Sequence, residues 1–392
     1  MKKRVLILGI DGYIGYPLAL HLLDNGYQVA GLDNYSRRIR VTDVGSDSLT
    51  PIISMSQRTI VLESYTNFIG TAFYDLHQDP FYVRRMLEDI KPDCIVHLAE
   101  MPSASWSMQS AHFCNETQQE NVLSTLNILW AMKEVCPDAH LLKLGTMGEY
   151  GTPNCDIPEG KIPQACLGDI DPMNSTRSCP MQGLPFPKTP GSFYHLTKVH
   201  DTNNIIFACR NWGLSSTDIM QGVLFGLMDQ SQSRITRFDY DEHFGTCINR
   251  FCAQAISGHP LTIYGKGGQT RGYLPLKDSI QCLNIAIDNP PKQGEYRVLN
   301  QFESLYSINR LAVLVSDAAD SQGIHVTLNH IENPRKEAEI HYYNPDHQKL
   351  FDLGYVPTTD IQSELNDLIK ALLPYKDRVI KEMFMPKTKW KR

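Results

Sequence analysis

The strongest constraint on the fold is an alternation of short apolar runs with helix-length segments. Residues 4–8 (RVLIL) have the pattern of a strand, 16–24 of a helix and 27–32 of a second strand. The pattern returns at 94–98 and 120–135, and further strands are expected at 140–144 and 214–219. Strands apolar on both faces and separated by helices pack as parallel βαβ units, so the expected class is α/β with a doubly wound parallel sheet. Residues 34–71 form a polar segment too long for a plain crossover, either an inserted lid or an added ornament. Residues 151–190 are rich in Pro, Gly, Cys and Ser, the composition of a long functional loop ahead of a helix starting near Ser192. After Gly222 the alternation weakens and 246–257 stands as an isolated helix. That change predicts a smaller second domain interleaved with returns to the main sheet.

Composition removes several function classes. Against 43 Asp plus Glu stand 37 Lys plus Arg, a net charge of -6 spread over both signs, which offers no basic face to nucleic acid or an anionic membrane. The start MKKRVLILGIDG imitates a secretory signal, but Asp11 and the glycines interrupt it, and no segment is apolar enough to span a bilayer. An intracellular, cytoplasmic protein without membrane insertion is expected. Ten cysteines lack the paired spacings of zinc sites and are expected to be reduced and mostly buried, with no metal bound. His97 in VHLAE reads as a satisfied residue near a cofactor rather than a ligand.

Gly9, Gly12 and Gly15 lie in the turn from the first strand into the first helix, where backbone amides and the positive helix end can receive a pyrophosphate. Asp33, at the end of the second strand, stands where an acidic residue accepts hydrogen bonds from an adenosine ribose; the alternative is a solvated turn residue. Its charge favours NAD over NADP, although Arg37 and Arg38 follow closely and offset part of the repulsion. Asp75 and Leu76 are either edges of an adenine pocket or an ordinary loop.

Tyr194 and Lys198 are spaced to share one helix face. An ammonium near a phenol stabilises phenolate, so the tyrosine can take a proton from a hydroxyl while hydride leaves the carbon. Thr146, at the end of the preceding strand, is placed to bind the same hydroxyl; the alternative is a packed Tyr and a solvated Lys.

At these residues the chain resembles the extended short-chain dehydrogenase/reductase superfamily, which includes sugar nucleotide epimerases and dehydratases. The glycine run, residues 96–99 and 121–129, Thr146 with Tyr150 and Gly151, the Tyr/Lys pair and YGKGGQTR at 264–271 match in order. The longer strings LLKLGTMGEYGTPN, SFYHLTKVHD, GHPLTIYGKGGQTRGYL and NPRKEAEIHYYN are similar to the sulfosugar-forming branch, whose members join sulfite to UDP-glucose. The resemblance implies a Rossmann-type NAD-binding domain at 1–222, with 273–300 returning to it. It implies a sugar-nucleotide-binding domain at 223–272 and 301–392. NAD is implied at Gly9, Asp11, Gly12, Tyr13, Ile14, Gly15, Asp33, Asn34, Arg37, Asp75, Leu76, Leu98, Ala99, Glu100, Asn121, Leu144, Tyr194, Lys198, Gln221 and Val223. Substrate is implied at Thr146, Met147, Gly148, Gln221, Arg250, Gln269, Arg271 and Arg335.

The implied reaction oxidises carbon 4 of the glucosyl ring, eliminates the carbon 6 hydroxyl and adds sulfite, a carbon–sulfur bond formation formally grouped with hydrolases of such bonds. Sugar 4,6-dehydratases carry Asp and Glu directly after the catalytic Thr, whereas Met147 and Gly148 stand here. Glu149, His195 and Tyr194 are left to share proton transfer, with Glu149 otherwise a surface carboxylate. The branch also carries Gln-Arg after the residue matching Glu100; Met101 and Pro102 replace them, leaving His195 or Arg250 to hold sulfite. Such enzymes are habitually homodimers and receive sulfite free or from a donating partner protein. The rival activities are a UDP-glucose 4-epimerase or related dehydratase, and a non-catalytic NAD-sensing regulator. The regulator would have lost Tyr194 or Lys198, and both are present.

Overall fold

The computed structural model describes every residue except 1, 163–183, 230, 232, 336, 337, 339, 389, 391 and 392, so the centre of the 151–190 loop lies outside the described residues. The strands are β1 (Arg4–Leu8), β2 (Gln28–Asp33), β3 (Phe68–Phe73), β4 (Cys94–His97), β5 (His140–Thr146), β6 (Lys161–Ile162), β7 (Leu184–Pro185), β8 (Ser215–Gln221), β9 (Val223–Phe225), β10 (Leu261–Tyr264), β11 (Thr270–Pro275), β12 (Tyr296–Gln301), β13 (Ser304–Ser307) and β14 (Leu328–Ile331).

Seven of them form one parallel sheet in the order β12-β8-β5-β4-β1-β2-β3. Because side chains alternate across a strand, the RVLIL run feeds two cores. Val5 and Ile7 pack with helices Gly15–Asp24 and Leu276–Asp288, while Leu6 and Leu8 pack with Pro80–Ile90, Ser124–Val135 and Phe193–Trp212. Covering both faces is what makes an all-apolar strand stable in this position. From β1 the chain winds outward in both directions, leaving a crevice beyond the carboxyl ends of β1 and β4, the usual place for a ligand in such sheets.

The helix expected at 120–135 begins earlier. Ala111–Gln118 leads through a π-helical turn, Gln119–Leu123, into Ser124–Val135. Its first turns carry little apolar periodicity and are held by ion pairs from Arg40 to Glu116 and Glu120.

A second core gathers helices Cys247–Ile256, Ile308–Asp320 and Ile361–Leu372 with the small sheets β13-β11-β9 and β10-β14. β12 pairs with β8 in the main sheet, whereas β11, at 270–275, lies in a small sheet. Gly222 lies between β8 and β9, and a Cβ there would stand 2.7 Å from the Gly272 carbonyl oxygen. The 34–71 segment reaches into the second core as a strut. Between helices Ser36–Asp43 and Met55–Glu63, Leu49 enters the second core, with its N–H donating to the Phe238 carbonyl at 2.9 Å, and Thr50 Oγ1 donates to the Thr236 carbonyl at 2.6 Å.

Among the described residues no helix is long and apolar enough to cross a membrane, the cysteines are unpaired, and no cluster of His, Cys, Asp and Glu suits a metal ion.

Candidate active site

The glycine turn after β1 is packed too closely for side chains. Gly9 has a φ of 89°, and a Cβ on it would lie 2.9 Å from the Leu98 carbonyl carbon at the end of β4. A Cβ on Gly15 would lie 2.0 Å from the Gly9 carbonyl oxygen. The turn therefore presents backbone, at the amino end of helix Gly15–Asp24, to the crevice. At the tip of β2, Asp33 is 8% exposed, which excludes the solvated-turn alternative. Its carboxylate accepts from the Asp11 N–H at 2.8 Å and the Tyr35 N–H at 2.6 Å. Burial, then the Asp11 charge, push its pKa up to about 6 against those two donors.

Two neighbouring expectations need correction. Asp11 does not face the crevice: burial alone would push its carboxyl up, but Arg38 at 2.6 Å and Arg58 at 2.8 Å hold it below the usual value, and Arg58 lies over the Tyr16 ring. This cluster braces the glycine turn from behind. Arg37 does line the crevice but is engaged by Asp239 at 2.7 Å and by the Phe244 ring. With Arg38 on Asp11, neither guanidinium is placed to offset the Asp33 charge.

The crevice is a cavity of about 790 Å³, within the range of ligand sites. Its wall brings together Gly9, Gly12, Tyr13, Ile14, Gly15, Asp33, Asn34, Asp75, Leu76, Leu98, Ala99, Glu100 and Leu144 with the sugar-side residues Thr146, Met147, Gly148, Tyr194, His195, Lys198, Gln221, Val223, Arg250, Gln269, Arg271 and Arg335. The side-chain-free turn and the carboxylate of Asp33 on the same wall fit a bound dinucleotide.

Asn121 and Glu149 are the other predicted residues that stand off this wall. Asn121 is fully buried in the π-helical turn, bonding the Met101 N–H through Oδ1 at 2.7 Å and donating to Thr197 Oγ1 at 2.9 Å. It fixes the loop after β4 against the helix that carries Tyr194. Glu149 is 0% exposed, so neither a surface carboxylate nor one facing substrate describes it. It closes the turn after β5 by accepting from the Thr146 N–H, and it is ion-paired with Lys188 and accepts from Thr202 Oγ1 at 3.1 Å.

Helix Phe193–Trp212 starts at Ser192, whose Oγ accepts the His195 N–H at 3.2 Å. The cap is worth about 1 kcal/mol and fixes the first turn, where Tyr194 sits. The Tyr194 N–H donates to Ser107 Oγ at 3.0 Å. Lys198 Nζ donates to the Leu144 carbonyl at 2.7 Å, lies 5.8 Å from the Tyr194 ring centre and contacts Glu100. Burial brings the Lys198 pKa down to about 8, with Asp201 and Asp218 acting the other way. Burial raises that of Tyr194, opposed by the Lys143 cation. Thr146 Oγ1 accepts the Gly148 N–H at 3.1 Å, and a Cβ on Gly148 would stand 2.3 Å from His195 Nε2. The imidazole thus lies directly over Gly148, its Nδ1 3.0 Å from Ser192 Oγ. Burial, with Arg335 and Arg271 nearby, brings its pKa down to about 3, so the ring is neutral.

On the sugar-nucleotide side, Arg250 donates to Tyr264 Oη at 2.8 Å, Arg271 lies beside the Tyr343 ring and Arg335 beside Trp390. Sequence reading missed Tyr343 and Trp390, whose separation along the chain hides their approach. It also missed Lys143, although a charged residue inside the buried run HLLKLGT was a visible signal.

The sequence model of the family described as Epimerase, the NAD dependent epimerase/dehydratase family, matches residues 5–300. The chloroplastic UDP-sulfoquinovose synthase of Spinacia oleracea is 45% identical over 100% of this chain and 80% of its own, and the UDP-sulfoquinovose synthase of Sulfolobus acidocaldarius 44% identical over 99% and 98%. A UDP-glucuronic acid 4-epimerase structure from Bacillus cereus superposes with a TM-score of 0.69 at 20% identity, covering 94% of this chain and 98% of that one, which agrees with the doubly wound fold. Full-length similarity of this degree, on a chain whose cavity joins the glycine turn to the Tyr/Lys helix, means that it belongs to the NAD dependent epimerase/dehydratase family and, within it, to the UDP-sulfoquinovose synthases.

Proposed function

We propose that this chain converts UDP-glucose and sulfite into UDP-sulfoquinovose and water. The observation that carries the reading is that Tyr194, Lys198 and Thr146 face the same cavity as the glycine turn, while no carboxylate of the turn after β5 reaches it. NAD, when bound, supplies the acceptor for hydride from carbon 4 and the donor that returns it. Tyr194 takes the carbon 4 hydroxyl proton, Thr146 orients that hydroxyl, and Lys198 favours the phenolate. The resulting ketone acidifies the carbon 5 proton. Elimination breaks the carbon 5–hydrogen and carbon 6–oxygen bonds and releases water; sulfite then forms the carbon 6–sulfur bond on the conjugated alkene as a proton returns to carbon 5, and reduction of the ketone closes the cycle without net redox change.

With Glu149 behind the wall, His195 and Tyr194 move the carbon 5 proton and the proton that leaves with the hydroxyl. Arg271 and Arg335 hold the diphosphate, since a guanidinium matches phosphate oxygens at two points. Arg250 and His195 stand in for the missing Gln-Arg pair toward sulfite, which reaches the site free or from a donating protein. A homodimer in the cytoplasm is the proposed form, and the unpaired cysteines among the described residues suit a reducing compartment.

The test is to incubate the protein as purified, with its nucleotide identified, with UDP-glucose and sulfite and to follow nucleotide sugars by mass. A sulfite-dependent sulfonated product that disappears in Tyr194→Phe is expected. Formation of UDP-galactose alone, indifferent to sulfite, would replace the reading by the epimerase one.

A further inference from the structure

Behind the cavity wall lies a cluster of charges that the reaction as described does not use. Lys143 on β5, Glu149 after it and Asp218 on β8 are each fully buried. The Lys143 ammonium donates to the Lys198 carbonyl at 3.2 Å and lies 3.6 Å from a Glu149 oxygen and 3.7 Å from an Asp218 oxygen. Thr202 Oγ1 bridges the two carboxylates, and Tyr296 donates to Asp218 at 2.8 Å. Gly145 makes room for them, because a Cβ there would lie 2.4 Å from Asp218 Oδ1 and 3.1 Å from Glu149 Oε1. Burying so many charges costs stability that apolar residues in the same places would not, so a buried cation retained under a reaction centre invites a chemical explanation.

We infer that Lys143 is a positioning residue for proton transfer: through the Lys198 carbonyl it grips the helix one turn on from Tyr194 and sets a fixed cation in the interior behind the Tyr/Lys pair, with Glu149 as the opposing charge. The cation acts across a dry interior, where a charge is weakly screened. Its influence on Tyr194 is the largest that opposes burial, and those of Glu149 and Asp201 have the contrary sign. On its own helix His195 packs against the Tyr194 ring and Lys198 lies 5.8 Å from its centre; of the other charged or titratable groups, Glu100 at the end of β4 pairs with Lys198 and His97, Asp218 on β8 faces Lys143, and Lys188 pairs with Glu149. Lys143 and Glu149 are not themselves residues of the cavity wall, and each can be neutralised separately.

The inference rests on Tyr194 as the proton acceptor, and the test separates the two. Holoenzyme is mixed with UDP-glucose without sulfite, and the rate of NADH absorbance is recorded from about pH 6 to 10. In Lys143→Met the limb along which the rate rises with pH moves up by about one unit, a loss of about fivefold at the wild-type midpoint. In Glu149→Gln the limb moves down. A merely structural role lowers both rates without moving the limbs in opposite directions, and that result overturns the inference. If Lys143→Met does not fold, Glu149→Gln decides alone: a downward move supports the inference, and no move or an upward one overturns it. Wild-type holoenzyme that forms no NADH at any pH removes the functional reading and this inference together, which is distinct from a working enzyme whose limbs stay still.

Discussion

At the scale of single residues, the cavity is shaped by groups held away from their solution behaviour. Asp33 is the clearest case. Its folded pKa, about 6, lies above the ordinary aspartate value because burial disfavours the charge. The native state therefore holds the proton more tightly than the unfolded chain, and the sign of the linkage follows: stability present at low pH is lost as pH rises through about 6. Asp33→Asn removes that loss. Relative to wild type, the variant without nucleotide gains stability between about pH 4.5 and 7.5, by roughly 3 kcal/mol at most, while its retention of NAD falls. Urea unfolding at several pH values, with extraction of bound nucleotide, checks both halves. An unchanged pH slope would show that the carboxylate is not strained in this way. The same side chain would thus weaken the empty fold while serving the ribose of the proposed dinucleotide site, a trade common at binding sites.

At the scale of elements, the turn after β5 and the first turn of helix Phe193–Trp212 form one unit. Thr146 caps the short turn, Ser192 caps the helix, and His195 lies on Gly148 with no space between them. Gly148→Ala drives a methyl group into the imidazole. We expect Gly148→Ala to keep its melting temperature within a few degrees while turnover falls about a hundredfold, the scale of loss from small misplacements at a reaction centre. The double variant Gly148→Ala/His195→Ala recovers NADH formation from UDP-glucose but not the sulfonated product, if the imidazole serves only the later proton transfers. Recovery of both, measured by absorbance and product mass in one series, would remove His195 from the chemistry.

At the scale of the whole molecule, two cores share one cavity, and the 34–71 strut connects them. Leu49 is 0% exposed among Phe238, Tyr240 and Phe251 of the second core, although its neighbours in sequence belong to the dinucleotide side. Arg378 adds a hydrogen bond from Nε to the Leu49 carbonyl at 2.9 Å. Leu49→Ala leaves a cavity at this junction and is expected to cost about 2–5 kcal/mol. If the strut keeps the two walls in register, the loss of stability is accompanied by a higher KM for UDP-glucose with NAD content intact. Thermal unfolding and steady-state kinetics on one preparation decide; a loss of stability with unchanged KM would make the strut a matter of packing alone.

The sequence by itself determined what depends on neighbours along the chain. Apolar alternation in runs such as RVLIL specified a parallel sheet covered on both faces, the glycine spacing specified a turn without side chains, and a four-residue interval put Tyr194 and Lys198 on one helix face. The glycine turn, Asp33 and the Tyr/Lys pair were legible on these grounds, because residues at strand ends of such a sheet converge at its carboxyl edge, whereas Arg250, Gln269, Arg271 and Arg335 came only from the resemblance. The direction in which a side chain points once distant elements pack was left to the tertiary structure. Glu149 and Asp11 carry charges suited to chemistry and stand at the right places in the sequence, yet Lys143 and Lys188 draw the first beneath the wall and Arg38 and Arg58 the second behind the turn. Asn121 turned out to be a pin between loop and helix because its amide meets Met101 and Thr197 from separate elements. A buried charge goes where its partners are, and partners separated by tens of residues are chosen only by the fold.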